Sequence, residues 1–277
     1  MVTRHSYRWL VFLLLLILAV LFIAPILIVL MNSFKGQFSI SGEPFRLPTK
    51  ETFVGLLNYR NGIEKIDFVS AFAYSLFITV ASVSVIILFT SMAAWYIVRR
   101  KSFFTKFFYL TLVFSMIVPF QMVMFTMSKI ANVLNLENPV GIVLIYLGFG
   151  AGLSVFIFSG FVRSLPYALE EAASIDGCNP WQMFFKIIFP MMKPTAVTVA
   201  ILNAMWIWND YLLPYLVIGS KYKTIPVAIQ YLQGGYGSRD MGALMAMLVL
   251  AVLPIIVFYA FAQKFIVKGV IAGAVKG

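Results

Sequence analysis

Asp210 is the one acidic residue inside a long apolar run of this 277-residue chain. An ionisable group at such depth is a candidate for function. It sits near one end of its run, beside Trp208 and Asn209. Two readings stay open: an interfacial anchor or helix-capping carboxylate, or a contact to a polar solute. A proton relay would need a second intramembrane acid or a histidine, and the single His5 lies in the N-terminal tail beside Arg4. Glu170 and Glu171 are the one adjacent pair suited by type to acid/base work, but neighbouring helical residues point in different directions and form no dyad. The single Cys178 excludes a disulfide framework and a cysteine-rich metal site. No Gly-x4-Gly-Lys-Ser/Thr or Gly-x-Gly-x-x-Gly pattern is present, and Gly148-Phe149-Gly150-Ala151-Gly152 lies in an apolar run without a lysine. The residues therefore predict no catalytic centre, no metal site and no cofactor bound by this chain. Any chemical energy it uses is supplied by a partner.

The elements that hold these residues follow from composition. Hydrophobic residues make up 62% and charged residues 11% of the chain, and the mean hydropathy is +0.95. A soluble domain runs near 45–50% apolar and about 25% charged, so a soluble enzyme and a disordered chain are both excluded. A bilayer core needs about 20 apolar helical residues to cross it. Six runs qualify: Trp9–Leu30, Phe68–Val98, Phe107–Met127, Pro139–Val162, Thr195–Ile218 and Met241–Val267. They are too long and too uniformly apolar for membrane strands. The first exceeds a signal-peptide core of about 7–15 residues and is read as an uncleaved helix. Pro25, Pro119 and Pro254 fall inside these runs. The expected fold is an all-α integral membrane protein with six transmembrane helices.

The net charge of +11 is read as the basic excess of membrane loops, with no nucleic-acid partner. With the N-terminus inside, the inner segments carry twelve bases against three acids, and the outer segments nine against six. That bias places both termini in the cytoplasm, with Arg99-Arg100-Lys101 its strongest cluster.

The inner segment after the fourth run differs from the others. Ser164-Leu165-Pro166 predicts a helix start, through a capping hydroxyl and a proline in the first turn. Gly177 stops that helix, since glycine takes the left-handed cap conformation cheaply. Asn179-Pro180 starts a second helix, ended by Pro190, whose Trp181, Phe184, Phe185 and Ile188 form one apolar stripe. On the first helix Leu169, Ala172, Ala173 and Asp176 share a face, where small alanines admit close approach by a partner. The plainer alternative is a hairpin lying along the membrane surface.

Glu171-Ala172-Ala173, three residues, Gly177, nine residues, then Ile187-Ile188-Phe189-Pro190 resembles the EAA loop of binding-protein-dependent ABC importer permeases. The family's usual leucine before the final proline is Phe189 here. Met192-Lys193-Pro194, Trp206-Ile207-Trp208-Asn209-Asp210, Met241-Gly242-Ala243-Leu244-Met245-Ala246 and the tail from Phe265 are similar to the carbohydrate-uptake permeases, in particular the smaller permease subunit of the maltose-type system. The resemblance covers nearly the whole chain. It is densest after Arg163 and thinnest over Asn32–Asp67, read as a long outer loop.

That resemblance implies one permease domain over residues 1–277, with a core at 68–267 and a cytoplasmic coupling loop at 163–194. It implies a bacterial or archaeal cell membrane and a second homologous permease subunit in a heterodimer. Two copies of an ABC ATPase would carry ATP and Mg²⁺, and an extracellular solute-binding protein would deliver a sugar. Glu171, Ala172, Ala173, Gly177, Ile187 and Pro190 would couple to the ATPase. Gln121, Asn203, Trp206, Asn209 and Asp210, with Ser115 and Tyr211, are candidates for the sugar pathway, the alternative being helix packing or an interfacial belt. Gly219–Arg239, with Gly234-Gly235-Tyr236-Gly237, is a linker or a loop reaching into the binding protein. The tail Gly269–Gly277 is a frayed end or a contact to the ATPase pair. Rival functions are the same importer class carrying a polyol or glycerol phosphate, a secondary carrier, or a membrane enzyme. Missing inverted repeats and midplane acids count against a carrier, and scarce His, Cys and carboxylate clusters against an enzyme.

Overall fold

The computed structural model describes residues 3–219, 221–233 and 239–274, with side chains over 7–263 of these. The glycine cluster at 234–237 and the last residues of the tail, 275–277, lie outside the described residues. Among those described, the regular structure is helical, and the one strand-like contact is an isolated bridge between Lys35 and Phe53.

Four helices are long and apolar enough to cross a membrane: Tyr7–Asn32 within α1 (Thr3–Asn32), α4 (Phe68–Arg99), α7 (Gly141–Val162) and Met241–Gln263 within α14 (Met241–Ala274). Two bent helix pairs raise the count to as many as six if each is one span. Pro25 and Pro254 stay inside α1 and α14. Pro119 does not. The expected run Phe107–Met127 is broken into α5 (Phe103–Ser115) and α6 (Phe120–Val133), whose axes diverge by 109°. Pro119 lacks the N–H that would continue α5 and disfavours helical geometry at the residue before it, so it becomes the N-cap of α6. The fifth run is also shorter than expected. α11 (Lys193–Asn209) ends where Asp210 turns extended, and the short α12 (Leu212–Val217) and α13 (Ile225–Gln230) follow.

The buried face of α4 is mostly small and hydroxylic residues, with Ile78 and Ile86 among them. On α4 the buried positions include Ala71, Ser75, Ser82, Ser91 and Ala94, whereas Phe77, Val80 and Phe89 face outward. Small and hydroxylic residues inside with bulky apolar ones outside suit helices packed within lipid, where the surroundings are as apolar as leucine.

Residues fall into two compact units. The first draws on Met1–Val69 and Ala228–Ile255. Here the segment expected as a loop, Asn32–Asp67, folds into α2 (Gln37–Gly42) and α3 (Leu57–Lys65). Its organiser is the buried Asn58, whose Nδ2 donates to the carbonyls of Ser33 and Lys35, both at 2.8 Å. Lys35 is 2% exposed and donates its ammonium to the Glu43 carbonyl at 3.0 Å. Burial lowers the pKa of that ammonium, and the Glu43 carboxylate opposes the shift in part. Lys65 pairs with Asp240, which also accepts the Ala243 amide at 2.9 Å and so caps α14. Partial burial pushes the Asp240 carboxyl up, but these hydrogen bonds outweigh it and hold the pKa below the usual carboxylate value. Hydropathy patterns do not register such side-chain-to-backbone bonds, which is why the segment reads as loop. Asn58→Ala leaves two buried carbonyls unpaired, and each such group costs about 1–3 kcal/mol. The expected result is a fall on the order of 5 °C in the unfolding temperature of the solubilised protein, read by intrinsic fluorescence.

The second unit, Ser70–Val227 with Ile256–Gly277, carries the candidate site. Its core runs through Ile78, Ile86, Tyr146, Phe158, Phe184 and Ile188. Two glycines of the apolar cluster on α7 set its spacing. A Cβ on Gly150 would meet Ile86 and Asn203, and one on Gly152 would meet the Leu112 carbonyl and Met116 of the α5 segment. Their role is close helix approach, not anion binding.

Candidate functional site

The hairpin after α7 is built from backbone chemistry at its turn. α8 (Ala168–Ile175) ends on Gly177, whose φ of +80° is left-handed. The Gly177 amide donates to the Ser174 carbonyl at 3.1 Å, and that of Cys178 to Ala173 at 2.9 Å. These are the paired bonds of a Schellman cap. The next helix starts as expected: the Asn179 side chain accepts from the Gln182 amide at 2.9 Å, and the Gln182 side chain returns the contact to the Asn179 amide at 3.0 Å. Only Cys178 lies between the two caps, and its amide is already bonded to Ala173, so the turn has a fixed geometry.

Three expectations for the hairpin's caps and second helix need correction. Ser164 does not cap α8; its hydroxyl donates back to the Phe161 carbonyl at 2.7 Å, and the N-cap is Tyr167, without a side-chain bond. Pro190 does not end the second helix. That helix runs over Pro180–Met191 as α9 (Pro180–Met183), a π-helical turn (Phe184–Ile188) and α10 (Phe189–Met191), and bends by 75° into α11 past Met192. The widened turn moves away the carbonyl against which the Pro190 ring would clash. The apolar stripe is also split. Phe184 and Ile188 are buried, while Trp181 and Phe185 stack on each other at 6.2 Å and remain exposed.

One end of α4 holds both arms of the hairpin. Arg99 Nε lies 2.6 Å from Glu170 Oε1, and Arg99 Nη2 donates to the Leu165 carbonyl at 3.1 Å. Trp95 Nε1 donates to Glu170 Oε2 at 3.1 Å. The Arg99 guanidinium also lies over the Tyr167 ring at 5.6 Å. On the other arm, Phe184 packs on Trp95 with ring centres 5.8 Å apart. The side chains of Arg99 and Glu170 are only 16% and 7% exposed, so this pair is largely shielded from water. Sequence reasoning missed it. Arg99 counted there as an orientation charge and Glu170 as the neighbour of Glu171, and nothing in the spacing signals a pairing across 71 residues.

Of the coupling residues expected from the sequence, Glu171, Ala172 and Gly177 are exposed, Ile187 and Pro190 are half-buried, and Ala173 is buried. The face expected to hold Leu169, Ala172, Ala173 and Asp176 together is therefore divided, because Ala173 turns inward. The residues that α8, α9 and the π-helical turn present outward include Leu169, Glu171, Ala172, Ile175, Trp181 and Phe185.

The pathway candidates separate in the same way. Asn203 is buried and its amide is used, donating to Ser154 Oγ at 3.1 Å and to the Val199 carbonyl at 2.9 Å. Asp210 acts as a cap: Oδ1 accepts the Leu212 and Leu213 amides at 3.0 and 3.4 Å, and Oδ2 accepts the Tyr146 hydroxyl at 3.1 Å. Trp206 meets the Tyr146 ring edge-on at 5.4 Å yet stays 41% exposed. Asn209 is exposed, its amide donating to the Met205 carbonyl at 2.7 Å. Gln121 and Ser115 are also exposed, on either side of the break between α5 and α6.

The pattern of one protein family, described as the binding-protein-dependent transport system inner membrane component, matches residues 86–272, which takes in the hairpin, its α4 anchor and the α11 candidates. The chain belongs to that family. This permease is 37% identical, over 98% of its own length and 98% of the other, to the probable starch degradation products transport system permease protein AmyC of Thermoanaerobacterium thermosulfurigenes. It is 34% identical, over 99% and 98% of the two chains, to the multiple sugar-binding transport system permease protein MsmG of Streptococcus mutans. The fold matches a solved bacterial ABC transporter involved in import of the acidic polysaccharide alginate, with a TM-score of 0.80 and 22% identity over 95% of this chain and 98% of that one. Permeases of this kind are membrane transport subunits, and the long apolar helices and the bulky outward residues of α4 agree.

Proposed function

We propose that this permease lines half of the pathway of an ATP-driven importer and moves a neutral sugar or oligosaccharide delivered by an extracellular binding protein. A second homologous permease supplies the other half, and two ATPase copies hold ATP and Mg²⁺. Six spans cross the membrane: α1, α4, the broken pair α5–α6, α7, α11 and α14. The basic bias of the inner segments puts both termini in the cytoplasm. All of residues 1–277 act as one permease domain, with a core at 68–267. The hairpin at 163–194 lies on the cytoplasmic side and seats in a cleft of an ATPase subunit, through Glu171, Ala172 and Gly177 and the apolar residues beside them. A short helix in a groove is a common docking mode.

The observation that carries this reading is the α8–α9 hairpin, closed by two caps and strapped to α4 through Glu170 and Arg99. A hairpin fixed in that way moves as a body, so closure of the ATPase pair would swing the spans and switch access. ATP can drive that shift only if the hairpin binds the two ATPase states with different affinity.

A neutral carbohydrate is favoured by the names of the relatives. Besides starch degradation products and multiple sugars, they include a diacetylchitobiose permease of Streptomyces coelicolor and a melibiose, raffinose and stachyose permease of Bacillus subtilis. A glycerol phosphate would call for cations along the pathway, and the runs Phe107–Met127, Pro139–Val162 and Thr195–Ile218 carry none. Trp206, Asn209 and Gln121 remain able to meet a sugar by ring face and hydrogen bond, whereas Asn203 and Asp210 hold the walls.

Purification through a C-terminal tag after gentle solubilisation tests the reading. A second permease and an ATPase should co-purify, and the complex should import sugar into proteoliposomes only with ATP and its binding protein. A chain that purifies alone and transports without ATP would be a secondary carrier.

A further inference from the structure

A cleft of about 720 Å³ opens between the end of α4, the start of α5 and the end of α7. Four cations line it, Arg99, Lys101, Lys106 and Arg163, together with the Ser102 hydroxyl and no acidic side chain. Arg99 is engaged by Glu170, and Arg163 lies over the Tyr109 ring at 5.6 Å. Among the described residues neither Lys101 nor Lys106 has an ion-pair partner. The start of α5 is closed by a capping box between Ser102 and Thr105, so the positive field of the cleft comes from side chains rather than from open backbone amides.

Beside the cations, the first turns of α5 expose an aromatic surface. Phe103 is 86% exposed, Phe104 66% and Phe107 61%, and they form two stacked rows, Phe103 on Phe107 and Phe104 on Phe108. A soluble anion would satisfy the cations alone, whereas α5 is read as part of a span, so these rings already lie among acyl chains. A phospholipid satisfies both, with its phosphodiester in the cleft and its acyl chains along the phenylalanines. Basic pockets between transmembrane helices on the cytoplasmic side are suited to anionic headgroups.

We propose that this cleft binds the phosphodiester headgroup of an anionic phospholipid, with Lys101 and Lys106 as the free cations and Phe103, Phe104 and Phe107 along the acyl chains. The site adjoins Arg99, so an occupied cleft braces the same end of α4 that holds the hairpin. The assignment of the cleft to the inner leaflet rests on the topology proposed above.

The test uses the whole transport complex in nanodiscs of phosphatidylcholine with a small fraction of phosphatidylglycerol. The lipid retained after partial delipidation is quantified by mass spectrometry. The native complex should retain phosphatidylglycerol in excess of its share of the nanodisc. The Lys101→Gln/Lys106→Gln variant should lose that excess, roughly fivefold for each cation removed. Lys129→Gln/Lys221→Gln, which removes two bases away from the cleft, should keep it. No excess in the native complex, or an excess unchanged in the Lys101/Lys106 variant, would overturn the proposal. Equal displacement by water-soluble glycerophosphoglycerol would make the ligand a soluble phosphate and sink the lipid assignment. Excess appearing only once the ATPase is stripped away would make the cleft a protein-docking face, with the same consequence. Sidedness is read separately, by impermeant maleimide on Lys101→Cys in a Cys178→Ser background in right-side-out vesicles. Labelling from outside would overturn the topology and leave the lipid-retention result standing.

Discussion

Gly177→Val is expected to strip the ATPase from the purified complex, while Gly177→Asn leaves most of it in place. The two side chains are of similar size, and a Cβ at this position meets nothing within 4 Å, so crowding does not separate them. Backbone preference does. At φ +80° a residue with a Cβ pays about 1–2 kcal/mol for the left-handed conformation, more when it is β-branched, whereas asparagine adopts it with local hydrogen bonding. Both bonds of the Schellman cap, from Gly177 to Ser174 and from Cys178 to Ala173, depend on that conformation. Losing it re-aims α9 relative to α8 and pulls Glu171 and Trp181 out of the common docking surface proposed for them. A penalty of that size corresponds to a loss of docking-competent hairpin on the order of tenfold or more. The measurement is the ATPase-to-permease ratio after affinity purification, alongside the amount of permease in the membrane, which should not change. Full transport by the valine variant would mean that the turn does not set the docking geometry.

The fold was legible where one physical requirement dominates. The runs behind α1, α4, α7 and α14 follow from the length of apolar helix that a bilayer demands. The Gly177 stop and the Asn179-Pro180 start were readable because each is a local backbone transaction among residues close in sequence. What escaped were the bonds between distant segments. Pro119 read as a tolerated proline inside a span, because its effect depends on whether neighbours re-satisfy the freed backbone, and here α5 stops instead. The stripe from Trp181 to Ile188 assumed a helix of 3.6 residues per turn, and the π-helical turn breaks that register. Asn58, which organises Asn32–Asp67 through two carbonyls more than twenty residues away, has no signature in hydropathy at all. Asp210 is the instructive intermediate case. Its capping reading was open from the sequence, and the Tyr146 hydroxyl that completes its coordination was not.

The same limit hid Glu170, which carries the second large expected effect. Glu170→Ala removes the carboxylate that takes Arg99 at 2.6 Å and Trp95 at 3.1 Å, and it leaves a largely shielded guanidinium unpaired. Breaking a buried pair from one side costs about 3–5 kcal/mol, whereas replacing both partners with apolar residues of similar volume is often neutral. Glu170→Ala should therefore lower both the yield of folded permease and the ATPase bound to it, and Arg99→Met/Glu170→Met should restore the yield. Stability and transmission then come apart. In the double variant the polar bonds seen among the described residues between α4 and the first arm of the hairpin are gone, because the Leu165 carbonyl loses its Arg99 donor and Trp95 loses its acceptor. The ATPase should still dock through Glu171, Ala172 and the exposed aromatic residues, but its closing stroke should reach α4 weakly. In proteoliposomes this appears as near-normal ATP hydrolysis with sugar import reduced severalfold, a lowered ratio of sugar moved to ATP consumed. A double variant with both yield and coupling ratio restored would show that Arg99 and Glu170 only hold the fold. A restored yield with a depressed ratio would make the pair a strut through which motion of the hairpin reaches the second span.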